Sequence, residues 1–589
     1  MIFGTEIEED MARAHVLLAT EGTYPFHPGG VSVWCDTLVH QLPEVDFTIF
    51  AVAMNPYVAV QFDLPANVRT LLAVPLWGMQ DPSEHRRDLS YSEIFLQKQR
   101  TGQSEVENFF LPSLQQFLNA LVADRPGLLS ESLTQMYRYF RTYDYQTTFK
   151  SQCVWDLYKT WLLGASRQGY WSEPSVFEAV QGLGWIYHFL IVLNTAVPPA
   201  DVVHSSAAAF CGIVGMVSKL EYNTPYLLTE HGVYLREQYL AIGRSNMTPF
   251  SKRFLIALVK AISRENLHLA DQLVPVCAFN GRWERVLGAE AAKIRVIYNG
   301  VNGAVFHPPS LRPSRTPIEI LAVARIDPNK DLETLIRAIQ VVRSFNIEVH
   351  VRILGSVSVE SYHEKIMALI RQLRLQDVVE LKGHTTNMSE AYQSADICVQ
   401  SSVTEAFPYS VIEAMMSGVP MVATDVGGTR EALGNTGILV PSRDPAQLAL
   451  GIALLAQDPD LRRRLGDAAR SRAHQYFEIS QAMQAFLRLY QRWHTGLVEP
   501  FFSAPTPLAP ALIHVTRALA LERIEQPSLA LQEYNHALSL LDRHPAAAAL
   551  LIEMSQLEMT IGQHEQAYEH LLKSRLLMAT FRHNSSRAG

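Results

Sequence analysis

The sequence predicts an α/β protein in which two doubly wound parallel sheets follow one another along the chain. Three observations lead to this prediction: the chain is too long for one core, short apolar runs alternate with helical stretches, and this alternation occurs twice. The 589 residues exceed the roughly 250–300 at which single cores stop growing. Apolar residues make up 48% of the chain and charged residues 18%, so two large domains have enough material to bury.

The first series of strands starts close to the beginning of the chain. Its predicted strands are 14–19, 47–52, 201–204, 226–229, 272–276 and 295–297. Residues 85–175 break the alternation because they are polar, aromatic and typical of helices, so we expect a first domain over 12–300 with a helical insertion at about 85–195. Within it, Trp185–Val197 offers only about 13 residues where a bilayer span needs about 20, which predicts a buried core helix.

A second series of strands follows with the same alternation. Its predicted strands are 318–323, 349–354, 378–381, 397–400, 421–424 and 438–440. Plausible helices separate them, so we expect a second doubly wound domain over 301–475. The amphipathic stretch Ile479–Trp493 comes next and lies within a predicted crossover helix over 476–500.

The C-terminal region differs in composition. A proline-rich stretch at 505–510 predicts a linker, since proline cannot continue a helix, and 511–580 is helical in pattern throughout. The spacing of Ala530, Tyr534 and Ala537 resembles the second helix of a tetratricopeptide repeat. One or two such units are fewer than a free-standing array needs. We therefore interpret the extension as a degenerate repeat module whose helices bind a protein partner.

Charge, cysteine spacing and the first residues argue against several classes of protein. A formal net charge of −8 is unfavourable for nucleic-acid binding. The five cysteines form no C-x-x-C pair, which argues against a structural zinc site or a disulfide framework and suits a reducing cytosol. Met1–Asp10 is acidic and lacks the basic flank and apolar stretch of a secretory signal. These features predict a cytoplasmic protein.

The strongest chemical signal is a pair of carboxylates eight residues apart, Glu405 and Glu413. The first lies in a predicted strand-to-helix loop and the second about one turn into the helix. Between them, Tyr409, Ser410 and Val411 are expected to present backbone N–H groups at the helix N-terminus, where unpaired donors and the helix dipole bind phosphate. A carboxylate one turn further on can accept both hydroxyls of a ribose. The alternative interpretation is ordinary helix capping with a solvated Glu413.

Further polar groups lie where predicted strands end. Arg325 and Lys330 follow the first strand of the second domain, and a surface pair on a loop is the alternative interpretation. Gly29 and Gly30 follow the first strand of the chain and precede a helix, so the backbone can approach a ligand closely, although many turns contain such a pair. His231 comes directly after a strand, at the end where α/β proteins bind ligands, although a single histidine is more often structural.

The run from Glu405 to Glu413 resembles the E-x7-E signature of the retaining, GT-B-fold glycosyltransferases of family GT4. This resemblance implies two Rossmann-like domains that face each other across a cleft. It also implies that Glu405 contacts the transferred sugar and that Glu413 binds the nucleotide ribose. Arg325 and Lys330 then match the family's diphosphate clamp, whose two cations offset the charge of the leaving group in a desolvated cleft.

The same resemblance assigns roles to residues of both domains. It implies that the loop with Gly29 and Gly30 reaches the diphosphate from the first domain and that His231 lies close to the reaction centre. Gly383 and His384, at the end of another second-domain strand, are then expected near the edge of the base.

The N-terminal half narrows the resemblance. The pieces ATEGTYPFHPGGVSVWCDTLV, DVVHSS and TEHGVYLRE, with the long helical insertion, are similar to the PelF-type branch of GT4, the Pel exopolysaccharide glycosyltransferases, over residues 12–495. The resemblance implies UDP-glucose as donor, a glycan as acceptor and a cytosolic enzyme that works beside a membrane-embedded export complex, at the inner face of the membrane.

Two questions remain open from the residues alone: whether the protein needs a metal, and whether it is an active transferase. The only Asp-x-Asp sequence, Asp458–Asp460, lies beyond the other site elements and directly before a helix, where capping explains it, so we expect no metal cofactor. The rival interpretations are a GT-B-fold epimerase or phosphorylase, and a non-catalytic scaffold subunit of a polysaccharide synthase complex in which an ancestral site survives.

Overall fold

The computed structural model describes residues 13–495, apart from positions 87, 124, 310–315 and 386, and parts of 514–573. The chain divides into two compact units, Met1–Gly496 and Leu497–Gly589.

The described residues of the first unit form two parallel six-stranded sheets. The strands of the first sheet are β1 (His15–Glu21), β2 (Asp46–Ala53), β3 (Val68–Pro75), β4 (Val202–Ser205), β5 (Tyr226–Leu228) and β6 (Gln272–Leu273). The strands of the second sheet are β7 (Ile318–Val323), β8 (Val349–Leu354), β9 (Val379–Gly383), β10 (Ile397–Gln400), β11 (Met421–Thr424) and β12 (Ile438–Val440).

Both sheets have the strand order of a Rossmann-like domain. The first runs β3-β2-β1-β4-β5-β6 and the second β9-β8-β7-β10-β11-β12. In each sheet the order reverses beside the first strand, and ligands of such sheets bind outside the carboxyl ends of the strands at that switch point. The predicted pair of doubly wound domains is therefore confirmed.

Helices cover both sheets. Those of the first domain are α1 (Gly30–Gln41), α2 (Tyr91–Arg100), α3 (Gln103–Glu105), α4 (Leu111–Ala123), α5 (Leu129–Phe140), α6 (Tyr145–Phe149), α7 (Gln152–Arg167), α8 (Val176–Phe189), α9 (Gly212–Tyr222), α10 (Tyr234–Arg244), α11 (Pro249–Leu269) and α12 (Ala278–Val286). Those that follow are α13 (Leu332–Ser344), α14 (Glu360–Gln372), α15 (Met388–Gln393), α16 (Tyr409–Met416), α17 (Thr429–Leu433), α18 (Pro445–Gln457), α19 (Pro459–Tyr476) and α20 (Ile479–His494).

Helices α2–α8 lie between β3 and β4, in the stretch where the sequence predicts an insertion. Their apolar faces share one core with the first sheet, in which Phe110, Tyr145 and Trp185 are buried together with Leu17 and Phe50. The insertion is therefore part of the first domain's core, because the same buried cluster contains side chains from the sheet and from the inserted helices.

One helical stretch is longer than predicted. Helix α8 continues into a 3₁₀ helix at Leu190–Asn194, so Val176–Asn194 has 19 residues and is long and apolar enough to cross a membrane, with 44% of it buried inside the protein. The predicted length of about 13 residues was wrong, because the apolar face starts one helix turn or more before Trp185. Trp185, Ile186 and Ile191 pack into the core of the first domain, as a core helix does.

The first sheet differs from the prediction at two strands. Residues 295–297 form no strand, because parallel pairing beyond β6 is reduced to an isolated bridge between Leu273 and Ile294. Strand β3 was not predicted: it lies at the edge of its sheet, most of it is half-buried or exposed, and its apolar run Leu71–Val74 follows the polar residues Arg69 and Thr70.

After the second domain the chain returns to the first. The bridge between Val301 and Glu478 leads into α20, whose Phe486 and Tyr490 are buried in the same cluster as Trp34 of α1. This crossover fixes the second domain to the first at its end as well as at its beginning.

In the second unit, the helices Pro527–Leu541 and Ala546–Thr560 bury Ala530, Tyr534 and Met554 in a small core of their own. A packed helix pair occurs in many folds, so the tetratricopeptide assignment stays a prediction. The predicted linker at 505–510 lies outside the described residues.

Candidate active site

A cavity of about 280 Å³ lies where the carboxyl ends of the two sheets meet. Its lining combines Gly30 and Val33 of the first domain with second-domain residues: Val323, Leu354, Gly355, His384, Thr385, Met388, Tyr409, Ser410 and Glu413. The structure therefore brings five of the predicted site residues to one cavity, namely Gly30, His384, Tyr409, Ser410 and Glu413.

Glu413 is positioned by α16, one turn from its N-terminus. Its Oε2 accepts a hydrogen bond from Tyr392 Oη at 2.8 Å, and the same hydroxyl lies 3.3 Å from the carbonyl oxygen of Ser410. Burial raises the pKa of Glu413 to about 7, an effect that the Tyr392 hydroxyl partly opposes. The carboxyl is thus held in place and titrates close to neutral pH.

Glu405 and Lys330 are in direct contact, although 75 residues separate them in the sequence. Lys330 Nζ lies 2.5 Å from Glu405 Oε1, and Ser402 Oγ donates to the same oxygen at 2.6 Å. The two loops are also joined through the backbone, since Ser401 Oγ donates to the Lys330 carbonyl at 2.8 Å. With side chains only 23% and 11% exposed, the Lys330–Glu405 pair is better shielded from water than a surface ion pair.

Arg325 lies apart from this pair. Its side chain is exposed, and its Nη1 is 3.4 Å from Ser358 Oγ, a long hydrogen bond. The structure therefore brings one predicted cation, Lys330, into contact with a predicted carboxylate and leaves Arg325 at the solvent side of the cleft.

The N-terminus of α16 differs in one respect from the prediction. The backbone N–H of Val411 donates to the carbonyl oxygen of Pro408 at 3.2 Å, and the Val411 side chain is buried in the second domain's core. The expectation that this N–H faces a ligand is contradicted, because the first turn of the helix already uses it. Ser410 lines the cavity at the N-terminus of α16, as predicted.

On the first domain, Gly29 occupies the position before α1 and Gly30 begins the helix. A Cβ atom on Gly30 would lie 3.8 Å from the Tyr409 ring, so the glycine backbone approaches the second domain closely at this point. The predicted glycine loop is thus placed opposite the N-terminus of α16.

Two histidines at strand ends have different surroundings. His204 is fully buried, and its ring nitrogens lie 2.6 Å from Tyr490 Oη and 2.7 Å from Thr229 Oγ1, so both are engaged in the fold. His231 packs edge-on against Trp34, with ring centroids 4.4 Å apart, and among the described residues its buried Nε2 has no hydrogen-bond partner. Burial lowers the pKa of His231 to about 3, so its imidazole is neutral at physiological pH.

Three residues that join the domains, Arg236, Arg244 and Glu431, were not predicted from the sequence. Arg236 of α10 donates to the Thr404 hydroxyl, and Arg244 Nη1 donates to Asn329 Oδ1 at 2.8 Å. Glu431 of the second domain accepts from the backbone N–H of Ala278 at 2.8 Å, at the start of α12. These contacts are between residues far apart in sequence. A hint was available only for Arg236, which lies within the quoted piece TEHGVYLRE.

The Asp-x-Asp sequence has the predicted structural explanation. Asp458 Oδ1 accepts from the backbone N–H of Leu461 at 2.8 Å at the start of α19, and Asp460 pairs with Arg463 at 2.9 Å. Over the residues that the structure describes, no group of three or more His, Cys, Asp or Glu side chains is placed to hold a metal ion.

Comparison with known proteins bears on both domains. Residues 304–472 match the family model described as "Glycosyl transferases group 1", and residues 14–292 match one described as "Domain of unknown function (DUF3492)". The "Putative colanic acid biosynthesis glycosyltransferase WcaL" of Escherichia coli K12 is 31% identical over 198 residues, which are 32% of this chain and 48% of that protein. The chain spans about half the length of the curated relatives it matches.

Solved structures share the arrangement of both domains. Sucrose-phosphate synthase from Thermosynechococcus elongatus matches 82% of this chain and 100% of its own, with a TM-score of 0.52 and 19% identity. Anabaena Alr3699/HepE, solved in complex with UDP-glucose, matches 81% of this chain and 100% of its own, with a TM-score of 0.50 and 13% identity. At these identities the likeness shows the fold alone, and it confirms the predicted GT-B fold.

Proposed function

We propose that this chain, whose residues 304–472 match the family model "Glycosyl transferases group 1", transfers a sugar from a nucleotide-sugar donor to a glycan acceptor. The observation that carries the proposal is the contact between Lys330 and Glu405 beside the cavity that Glu413 lines. Lys330 and Glu405 lie on loops that follow the neighbouring strands β7 and β10, and Val323 at the end of β7 lines the same cavity as Glu413. We assign Lys330 to the diphosphate, Glu405 to the sugar and Glu413 to the ribose. That set of groups suits a diphosphate-linked sugar.

The proposed reaction retains the configuration of the sugar. The bond from the sugar C1 to the diphosphate oxygen breaks, and its electron pair leaves with the nucleoside diphosphate. The acceptor's hydroxyl oxygen forms a bond to C1 on the same face, and its proton passes to the departing diphosphate. Lys330 has three N–H donors, of which one serves Glu405, so the others are available to offset the charge on the leaving group.

For the donor we propose UDP-glucose, and for the setting exopolysaccharide synthesis at the cytoplasmic face of a membrane. The similarity of the N-terminal half to the PelF-type branch supports both. The name of the E. coli relative, "Putative colanic acid biosynthesis glycosyltransferase WcaL", supports the setting, and the UDP-glucose complex of the Anabaena protein with the same fold supports the donor. The helices after residue 526 are proposed to bind a protein partner of the export complex.

The proposed function is tested by donor binding and turnover with the full chain. Thermal unfolding is measured with UDP, ADP and GDP, followed by sugar release from the corresponding glucose donors. We expect UDP to raise the melting temperature, because a ligand at about 100 times its Kd stabilises the native state by about 2.7 kcal/mol, and we expect UDP-glucose to be turned over. A chain that neither binds nor turns over any of the three nucleotides or donors would refute the proposal.

Metal independence gives a second test. After exhaustive dialysis against EDTA, we expect turnover of UDP-glucose to remain unchanged, because Lys330 supplies the positive charge that a divalent cation provides at other diphosphate sites. The rate is compared before dialysis, after it and after addition of Mn²⁺. A complete loss of turnover that Mn²⁺ restores would contradict the expectation.

A further inference from the structure

Glu237 is a carboxylate of the first domain with no role in the function proposed above. It lies in the first turns of α10, one residue after Arg236, whose guanidinium reaches Thr404 beside the Lys330–Glu405 pair. The side chain is exposed, so solvent or a ligand in the cleft can reach it. Helix α10 therefore carries a carboxylate to the edge of the candidate reaction site.

The position of this carboxylate depends on Gly232. A Cβ atom on Gly232 would lie 2.0 Å from Glu237 Oε1 and 2.8 Å from its Cδ, far inside contact distance. The carboxylate therefore rests against the glycine Cα, directly after His231. Any larger residue at position 232 would displace it, and the absence of a side chain there is what admits the carboxylate to this place.

Glu237 differs from the neighbouring carboxylates in its hydrogen bonds. Glu21 accepts from the Cys211 N–H and the Tyr234 hydroxyl, Glu405 accepts from Lys330, and Glu413 accepts from Tyr392. Within the part of the chain that the structure describes, no group donates a hydrogen bond to the Glu237 carboxylate. A carboxylate has up to four lone-pair positions that can accept from hydroxyl donors, and no described group of the protein uses those of Glu237.

The charges around Glu237 come from both domains. Although the residue is partly exposed, desolvation by the groups packed around its carboxylate is the largest effect and raises the pKa of Glu237. Glu405 raises this pKa further, while Arg236 and Arg325 lower it. Arg325 and Glu405 therefore face the carboxylate across the cleft. Lys330 is already paired with Glu405, and Arg236 donates to Thr404. A group that binds the Glu237 carboxylate directly must donate hydrogen bonds to it, which suits the hydroxyl groups of a neutral molecule, since an anionic group at that distance would be repelled by the carboxylate.

From this geometry we propose that Glu237 binds the acceptor, and that the acceptor is a neutral glycan whose hydroxyl groups donate hydrogen bonds to the carboxylate that Gly232 admits. This proposal rests on the proposed transferase function and adds to it the class of acceptor and a first-domain residue that orients it. Orientation of the acceptor beside C1 favours transfer to the glycan over transfer to water.

The test compares the full-length protein with Glu237→Gln, Gly232→Ala and a control, Glu290→Gln, which changes a carboxylate that is 65% exposed and pairs with Lys293 at 3.5 Å. UDP-glucose is the donor, and the probe acceptors are glucose, cellobiose and glucose 6-phosphate. Glycoside formation and UDP release without acceptor are both measured, so that each protein yields a ratio of transfer to hydrolysis. Gly232→Ala displaces the Glu237 carboxylate but keeps its charge, whereas Glu237→Gln removes the charge. The two variants together distinguish the effect of the carboxylate's position from the effect of its charge.

We expect the ratio for glucose and cellobiose to fall about ten-fold in Glu237→Gln, because a charge-assisted hydrogen bond is replaced by a neutral one. Gly232→Ala is expected to lower it to a similar extent and Glu290→Gln to leave it unchanged. In the wild-type protein we expect a lower ratio of transfer to hydrolysis with glucose 6-phosphate than with glucose. In Glu237→Gln this difference between the two acceptors is expected to become smaller.

Unchanged ratios in both Glu237→Gln and Gly232→Ala would overturn the proposal. So would a wild-type protein that hydrolyses UDP-glucose but accepts neither glucose nor cellobiose, or that prefers glucose 6-phosphate. A wild-type protein that neither binds UDP nor hydrolyses the donor would refute the transferase function itself, which is a distinguishable result.

Discussion

Replacement of Lys330 with methionine is expected to lower sugar transfer from UDP-glucose about 1000-fold, the scale of losing one preorganised electrostatic contact to a developing charge. Methionine keeps most of the length of the side chain and removes its charge. Binding of UDP should weaken much less, because the negative charge on the leaving oxygen grows only as the bond to C1 breaks. Initial rates and UDP affinity, measured on the same preparation, separate the two effects.

A structural cause of such a loss needs its own controls. Lys330→Met leaves Glu405, which is 11% exposed, without its cation, and this alone could disturb the loop. The double variant Lys330→Met/Glu405→Gln removes the stranded charge, and we expect it to recover no activity. Lys159→Met removes a lysine that pairs with Asp156 at 3.2 Å on the surface and should behave as wild type. A loss smaller than about ten-fold in Lys330→Met would contradict the assigned role.

The second domain could be predicted from the sequence almost strand for strand. Most residues of its central strands are buried, so these strands appear as short, mainly apolar runs, and Ile318–Val323, Val349–Leu354 and Ile397–Gln400 have the predicted limits. The edge strand β3 of the first sheet was missed: its apolar run is short, Leu71–Val74, and follows the polar residues Arg69 and Thr70. Hydrophobic patterning therefore located the second sheet out to its edge strand β12 but missed the edge strand β3 of the first sheet.

The site could be predicted where its residues are close in sequence or share a strand end. The carboxyl ends of parallel strands meet at one edge, so Lys330 after β7 and Glu405 after β10, which are neighbouring strands, had to lie near each other. The contacts of Arg236 with Thr404 and of Glu431 with α12 follow instead from how two separately folded domains dock. No local pattern encodes that docking, which is why these residues were missed.

The second large effect is expected for Glu413→Ala, with about a 100-fold loss of affinity for UDP-glucose. The assigned role gives this carboxylate two hydrogen bonds from the ribose hydroxyls, and at about 1.5 kcal/mol each, the lower end for bonds to charged groups, they account for a loss on the order of 100-fold. Isothermal titration calorimetry measures the change. Glu413→Gln should lose less, since the amide oxygen still accepts one hydroxyl. Equal, small losses in both variants would remove the ribose-binding role.

The pKa of about 7 that burial gives Glu413 adds a dependence on pH that only this role predicts. Ribose hydroxyls are donors and stabilise the ionised carboxylate, so binding should release protons and weaken as the pH falls below 7. Glu413→Gln should lack this dependence. Because both proteins bind the same ligand, the difference between their pH profiles of affinity reports the titration of the Glu413 carboxyl.

The hydroxyl of Tyr392 donates to Glu413 Oε2 at 2.8 Å and thereby lowers the pKa of Glu413, and Tyr392→Phe removes this hydroxyl. The pH at which affinity declines should therefore move upward in Tyr392→Phe, and an unmoved profile would mean that the carboxylate does not meet the ribose.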